Sequence, residues 1–479
     1  MTTLAQVHAM LPGSSLLNIS AQDAQSLNIS RIGTDSRQIS PKELFIALVG
    51  ERFDAHDFLS DVAEAGAAAV LISNKDRCPT NLPAVFVDDT RISLGLLAKA
   101  WRTNHPIPLA LVTGSNGKTT VKEMIASIFK AAVGEQRTLV TKGNLNNDIG
   151  LPLTLLKLRS TDRLAVVELG MNHPGETAQL ANIAQANIAL INNAQREHQE
   201  FMATVAAVAQ EHSNVISALP NDGIAIFPAD SEFAGVWHEV AAGRKVIDFV
   251  LLSSQTTLHA AVMGRLLSNG HVQVQMETGS IEVQLNTLGS HNARNAVAAS
   301  AVAVAAGISL DKIKQGLESF LPINGRMQAK KIDPNHTLID DSYNANPDSV
   351  RAAIDALKQS GNISWLVLGD MGEVGNQGPE FHREVGTYAA EQGVAKLFAL
   401  GEQCQFAIQG FNDIQKNRAT TATAKHFSEM DSLITQLRDA LHAQSTGSSE
   451  HLIILVKGSR FMGMERVVQA LLEEAKTCS

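Results

Sequence analysis

The stretch that decides the fold is "LALVTGSNGKTTVKEM", residues Leu109 to Met124. An apolar run leads into a loop bounded by Gly114 and Gly117. Apolar positions then recur at helical spacing: Val121, Met124, Ile125, Ile128 and Phe129. A strand, a glycine loop and a helix in that order are the local frame of a phosphate site. The first N–H groups of such a helix have no internal partner and face an incoming anion. Lys118 supplies a point charge, and the Thr119 hydroxyl is suited to Mg²⁺. The usual phosphate-loop pattern has a further glycine four residues before the Gly-Lys pair, where this chain has Val112. Taken alone, Gly-Lys-Thr also reads as a tight turn followed by a surface lysine. Strand, loop and amphipathic helix together favour nucleotide binding.

Outward from this stretch, the apolar runs "LAVVEL" (from Leu164), "IALIN" (from Ile188) and "IAIF" (from Ile224) alternate with helical patterns. That rhythm predicts a mostly parallel sheet covered by helices on both faces. Between Lys245 and Leu288 the pattern changes to period two, which predicts an antiparallel patch. "HPIP" (His105–Pro108) and "FLPINGRM" (Phe320–Met327) read as linkers. Before the first linker lie three short strand-like runs, "ELFIAL", "AAAVLI" and "PAVFVDD". After the second, a βα rhythm restarts with "TLIDDSY", "WLVLGD", "KLFAL" and "HLIILVKG". The expectation is an α/β protein of three domains at 1–105, 106–322 and 323–479, in keeping with a chain of 479 residues.

Composition narrows the function. With 39 basic and 48 acidic residues the net charge is −9, which speaks against a nucleic-acid binder. The cysteines Cys78, Cys404 and Cys478 are too dispersed for a disulfide framework or a metal-ligand pair. No secretion signal or membrane-spanning run is evident, so a cytoplasmic protein is expected. Glu168 stands inside the apolar run "VVELG" at the ligand-facing edge of the sheet, where a carboxylate needs a reason to be. His198, which follows the next strand, also reads as an ordinary loop histidine.

"TGSNGKTT", "GSHNARNAVAA" (Gly289–Ala299), "GRM" at Gly325 and "DDSYNANPDS" (Asp340–Ser349) occur in the order of the motifs of the ATP-dependent Mur ligases, which the chain resembles over nearly its whole length. "TDSRQISPKELFIALVGERFDAHDF", "KGNLNNDIGLPLTLL", "ELGMNHPGE", "LGDMGEVG" and "VKGSRFMGME" resemble the branch that adds D-alanyl-D-alanine to UDP-N-acetylmuramoyl-tripeptide. The resemblance implies a small α/β UDP-binding domain, a central P-loop ATPase domain and a C-terminal Rossmann-like domain. It implies ATP and Mg²⁺ as cofactors, two small-molecule substrates, an acyl-phosphate intermediate and a monomer.

Residue by residue, the resemblance assigns Gly114, Ser115, Asn116, Gly117, Lys118, Thr119 and Thr120 to the ATP phosphates. It assigns His291, Asn292 and Asn295 to adenine, Arg326 to a phosphate, and Asp341 to the nucleotide from the third domain. The metal falls to Thr119, Glu168 and His198. Catalysis falls to Lys118, Glu168, His198 and Arg326. The UDP-substrate falls to Ser36, Arg37, Asn144 and Asn147, and the dipeptide to Tyr343, Asn344 and Asn346. Structural readings stand beside several of these. Asn346, followed by Pro347, is a good helix cap, Asn292 and Asn295 are possible caps, Tyr343 a possible core aromatic, and Arg37 a possible solvated residue.

One departure stands out. The family usually carries a carbamylated lysine about fourteen residues after the histidine, where this chain has "AVAQEHSNVI". No lysine occurs between Lys157 and Lys245. Glu211 or His212 is expected to substitute, or a second metal to be held more loosely. The bland alternative is that both are solvated helix positions. A P-loop switch or motor ATPase, a sister Mur ligase and a folylpolyglutamate synthetase are the competing readings.

Overall fold

The computed structural model describes residues 2–477 except 198, 203, 254–257, 417, 419, 420 and 448–450. The strand Leu109–Thr113 is fully buried, and Val112 belongs to it. It lies inside a six-stranded, all-parallel sheet. In spatial order the strands are Lys245–Val246, Ile224–Ile226, Ile188–Ile191, Leu109–Thr113, Leu164–Glu168 and Thr138–Val140. From Leu109–Thr113 the chain visits the edge strand, then Leu164–Glu168, and then crosses to the opposite side at Ile188–Ile191. The direction of winding therefore reverses beside the glycine loop. At that point the carboxyl ends of neighbouring strands splay apart and leave a crevice. Thr113, Glu168 and Asn192 stand at its rim.

The region with period-two alternation forms a separate four-stranded sheet: Phe249–Leu252, Val262–Leu266, Val272–Met276 and Gly279–Val283. Its first pair is parallel, not antiparallel as expected; the last two pairings are antiparallel. Val272, Val274 and Met276 are buried while Gln273 and Gln275 are exposed, which is the alternation seen in the sequence. The buried face packs with the helices Ser290–Ala305 and Lys118–Val133 in one apolar cluster.

Toward the N-terminus a five-stranded sheet contains Glu43–Ile46, Ala69–Ile72 and Ala84–Phe86. Its core continues through Leu94, Leu97 and Trp101 into Leu109, Leu111 and Ile183. The "HPIP" segment is pinned by the buried Arg102. Its guanidinium donates to the carbonyls of His105 and Ile107 and to Asn187 Oδ1, and burial lowers its pKa to about 10.

Beyond "FLPINGRM" a second six-stranded sheet runs in the order Gln328–Lys331, His336–Asp341, Leu452–Lys457, Ile363–Gly369, Lys396–Leu400 and Thr423–Phe427. Only its first strand is antiparallel to its neighbour. This sheet turns the carboxyl ends of two adjacent strands, Asp341 and Lys457, toward the glycine loop. At the same carboxyl edge, directly after Ile363–Gly369, Asp370 joins His382 and Cys404 in a buried trio. Its polar atoms are taken up by the backbone. Asp370 accepts from the N–H groups of Gln403 and Cys404, and His382 Nε2 accepts from Met371 N while Nδ1 faces Gly378 O. The trio fastens a strand to two helices.

Candidate active site

A cavity of about 1820 Å³ lies between the central and C-terminal sheets. The glycine loop forms its floor, and two of its glycines are obligatory. Gly114 has φ +133°, and a Cβ there would approach Asn192 and the Asn193 backbone at 3.0 Å. Gly117 has φ +77° at the start of the helix Lys118–Val133, and its Cβ would meet Asn295 Oδ1 at 2.7 Å. The chain has dispensed with a glycine at Val112 because that residue is still strand.

The loop is laced to the next strand end by amides. Asn116 N donates to Asn193 Oδ1 (2.8 Å). Asn192 and Asn193 each donate through Nδ2 to Asn116 O (2.8 and 2.9 Å). Asn192 also donates to Asn295 Oδ1 (3.0 Å), and Asn295 to Asn292 Oδ1 (3.2 Å). Asn292 and Asn295 are thus buried supports under the loop. Asn292 also donates to Thr287 Oγ1 and Leu288 O, and so ties down the segment before its own helix. His291 lines the cavity beside them. Burial holds its pKa below the ordinary value, and nearby Asp341 offsets this only in part.

Glu168 is the last residue of its strand and is 2% exposed. Its Oε1 accepts from Thr119 Oγ1 (3.3 Å) and Asn146 Nδ2 (2.7 Å), while Oε2 is buried without a hydrogen-bond partner. An orphaned carboxylate oxygen beside a phosphate-loop threonine is the donor set that suits a hard divalent cation. Arg326 arrives from the second linker itself. Its Nη2 donates to Thr119 Oγ1 (3.3 Å), and its guanidinium lies 4.0 Å from the Tyr343 ring centroid. Tyr343 is therefore a half-buried platform for a cation, not a core aromatic. Asp341 takes Lys457 Nζ (2.6 Å) and Met327 N (3.1 Å), which joins the strand end to the start of the C-terminal sheet.

Asn346 caps the helix Pro347–Gln359 through a reciprocal pair with Ser349, as its sequence suggested. It also exchanges amide hydrogen bonds with Asn116 at the tip of the glycine loop (2.9 and 3.3 Å). Asn344 is exposed at the cavity wall, and its carbonyl accepts from Lys457. Asn144 is exposed at the same cavity. Asn147 accepts from Ile149 N and Gly150 N and so starts the next helix. Ser36 and Arg37 are not brought to this cavity. Arg37 is exposed and held two-pronged by Asp35 (2.8 and 3.0 Å). A second cavity of about 720 Å³ opens beside them, lined by Thr34, Asp35, Arg31, Lys157 and Arg159. His198 lies outside the described residues.

The alternative that Glu211 and His212 are solvated helix positions is corrected. Neither is solvated: they are 9% and 0% exposed. Glu211 Oε1 accepts from Gly175 N and Thr177 N, at the start of the helix Glu176–Ala184, and so serves a helix end. His212 joins Thr113 to Glu197, a residue that sequence reading passed over. Asn146, Asn192 and Asn193 were also passed over. Two asparagines directly after an apolar strand are a legible sign of a strand-end site. Glu197 gives no such sign, because its partners are 79 and 15 residues away.

Contacts join the two walls. Arg196 donates to both oxygens of Asp348 (2.5–3.2 Å) and of Glu384 (2.7 and 3.1 Å). Burial opposes its charge, but the hydrogen bonds it donates to Glu384 and Asp348 outweigh burial and raise its pKa. Arg196→Ala is expected to weaken this docking by roughly 1.5–3 kcal/mol, the range for hydrogen bonds to charged groups. Small-angle scattering should then show a larger radius of gyration; an unchanged radius would mean that the remaining contacts suffice.

Residues 28–102 match the family model "Mur ligase family, catalytic domain", 112–303 the "Mur ligase middle domain", and 325–460 "Mur ligase, glutamate ligase domain". The chain is 38% identical, over 97% of its length and 98% of the relative's, to the UDP-N-acetylmuramoyl-tripeptide–D-alanyl-D-alanine ligase of Escherichia coli K12. It is 33% identical to the Bacillus subtilis 168 protein of the same name, over 93% of both chains. Among solved structures, a MurF from Acinetobacter baumannii superposes with a TM-score of 0.87 at 32% identity, covering 98% of this chain and 99% of that one. Three domain models in family order, near-complete coverage and a shared fold agree: the chain belongs to the Mur ligase family.

Proposed function

We propose that this chain is an ATP-dependent ligase that adds D-alanyl-D-alanine to UDP-N-acetylmuramoyl-tripeptide in peptidoglycan precursor synthesis. The observation that carries the reading is the convergence, at one cavity, of the phosphate loop, Glu168, Arg326 and the Asp341–Asn346 segment. The fold-wide likeness to relatives of that name supports the choice of substrates.

In this reading ATP phosphorylates the terminal carboxylate of the tripeptide. The dipeptide amine attacks the acyl phosphate, and phosphate leaves. Such a transfer demands positioning and charge neutralisation more than covalent help from the protein. The N–H groups of Gly114–Thr120 and the Lys118 ammonium would hold the phosphates, with His291 on the adenine side. Arg326, oriented by Tyr343, would bring positive charge to the transferred group from the opposite wall. Thr119, Glu168 and His198 would hold Mg²⁺, which when bound neutralises phosphate charge. Asn144 and Asn147 would face the tripeptide, and Tyr343, Asn344 and Asn346 the dipeptide. Residues 1–105 would take the UDP moiety through Ser36, Arg37 and the adjoining cationic cavity. Residues 106–322 would bind ATP, and residues 323–479 would bring the dipeptide. No helix among the described residues is long and apolar enough to cross a membrane, in keeping with small dissolved substrates.

The test is phosphate release from ATP with each substrate omitted in turn. Release is expected only with both UDP-tripeptide and dipeptide present. Release that ignores the dipeptide would overturn the assignment.

A further inference from the structure

Lys118 is not free to wander in its cavity. Its Nζ donates to Glu197 Oε2 (3.2 Å) and to Ser115 O (3.2 Å). Glu197 is 6% exposed, and its other oxygen, Oε1, faces His212 Nε2 at 2.9 Å. His212 has no exposed surface, and its Nδ1 faces Thr113 Oγ1 at 3.0 Å. Thr113 is the last residue of the strand that leads into the glycine loop. The chain of contacts thus starts on a fully buried strand, passes through a helix packed beside it, and ends on the ammonium at the mouth of the loop. A histidine fixed on both nitrogens fixes the carboxylate it touches, and a fixed carboxylate fixes a lysine that would otherwise sample many rotamers.

We infer that Glu197, aimed by His212, is the positioning residue for Lys118. It keeps the ammonium over the loop in the nucleotide-free protein and, once the phosphates bind, still holds it from the cavity wall. The carboxylate also places a negative charge beside the phosphate path. Its presence therefore weakens nucleotide binding while it orders the lysine for transfer. This division of effect separates it from a residue that merely supports the loop.

The inference rests on the ligase reading for its kinetic arm, and a binding arm is independent of that reading. E197Q keeps the shape and removes the charge. ADP affinity, measured by calorimetry, is expected to rise roughly 3–10-fold as the local anion is lost. The kcat for dipeptide-dependent phosphate release should fall on the order of 10–100-fold as Lys118 loses its restraint. H212Q retains an N–H donor for Glu197 and should stay near wild type in both measurements. H212L should follow the same kinetic course as E197Q. A folded E197Q whose ADP affinity falls along with kcat, or whose kcat is unchanged, would overturn the inference. So would equal impairment of H212Q and H212L. A wild-type protein that binds ADP but shows no dipeptide-dependent release would instead defeat the ligase reading, and the ADP affinity of E197Q would then decide the inference alone.

Discussion

Lys118→Ala is expected to abolish turnover while leaving the protein folded and able to bind its UDP-linked substrate. The ammonium has 16% of its side chain exposed and faces the loop that would carry the phosphates. Arg326 reaches Thr119 from the opposite wall, and Lys457 is committed to Asp341 and Asn344, so neither takes the place of Lys118 on the loop. Losing one preorganised charge from a site shielded from water typically costs 10²–10³ in rate, so a loss of about 10³ in kcat is the expected scale. Folding should survive at some cost in stability. The lysine's partners are a backbone carbonyl and the Glu197 carboxylate, which is 6% exposed and keeps its contact with His212 when the lysine is removed. The UDP end of the substrate belongs, in the proposed division, to the N-terminal sheet and the second cavity beside it, which Arg31 and Asp35 line together with Lys157 and Arg159 of the central region and which the glycine loop does not line. Steady-state kinetics and calorimetry with the UDP-substrate, on the same preparation, provide the check. Loss of UDP-substrate binding in a folded K118A protein would argue against two separate sites.

The architecture was largely legible in the sequence because it rests on period and punctuation. "LALV", "LAVVEL" and "IALIN" read as strands because short, mostly apolar runs between helical patterns suit the interior of a parallel sheet. The glycine loop was legible for a related reason: positive φ at Gly114 and Gly117 admits few other residues. What remained hidden depends on which strand ends meet. Strand order is not written in a linear pattern, so the sequence offered no means of pairing Asn192 with Asn295, or Arg326 with Thr119, 103 and 207 residues apart. The parallel pairing of Phe249–Leu252 with Val262–Leu266 was missed because alternation reports a half-buried face and not strand direction. Asn346 shows the limit from the other side. Its capping role was readable from Asn-Pro, yet the same amide also reaches Asn116, 230 residues away. A local motif can thus be correctly read and still be only half of what the residue does.

Glu168→Gln is the sharper test of whether the cavity is built for a cation. The two oxygens of Glu168 have different surroundings: Oε1 takes Thr119 and Asn146, whereas Oε2 has no hydrogen-bond partner among the described residues. If the carboxylate served only to hold the 142–148 loop over the strand end, glutamine would suffice, because its carbonyl oxygen can accept the same two hydrogen bonds. Activity would then persist. If the second oxygen awaits Mg²⁺, glutamine removes the charge that makes the site attractive to a hard cation. The kcat should fall by roughly 10²–10³, comparable with the loss of one electrostatic contact in a preorganised site. More Mg²⁺ should be needed to approach what activity remains. Stability should move the opposite way. An ionised oxygen buried without a partner is unfavourable to the metal-free fold, and neutralising it relieves that cost. The melting temperature of metal-free E168Q is therefore expected to equal or exceed that of the parent, and added Mg²⁺ should raise it less than it raises the parent's. A variant that keeps its activity, or that loses activity and stability together, would mean that Glu168 is a loop support and that the cation is held elsewhere in the cavity.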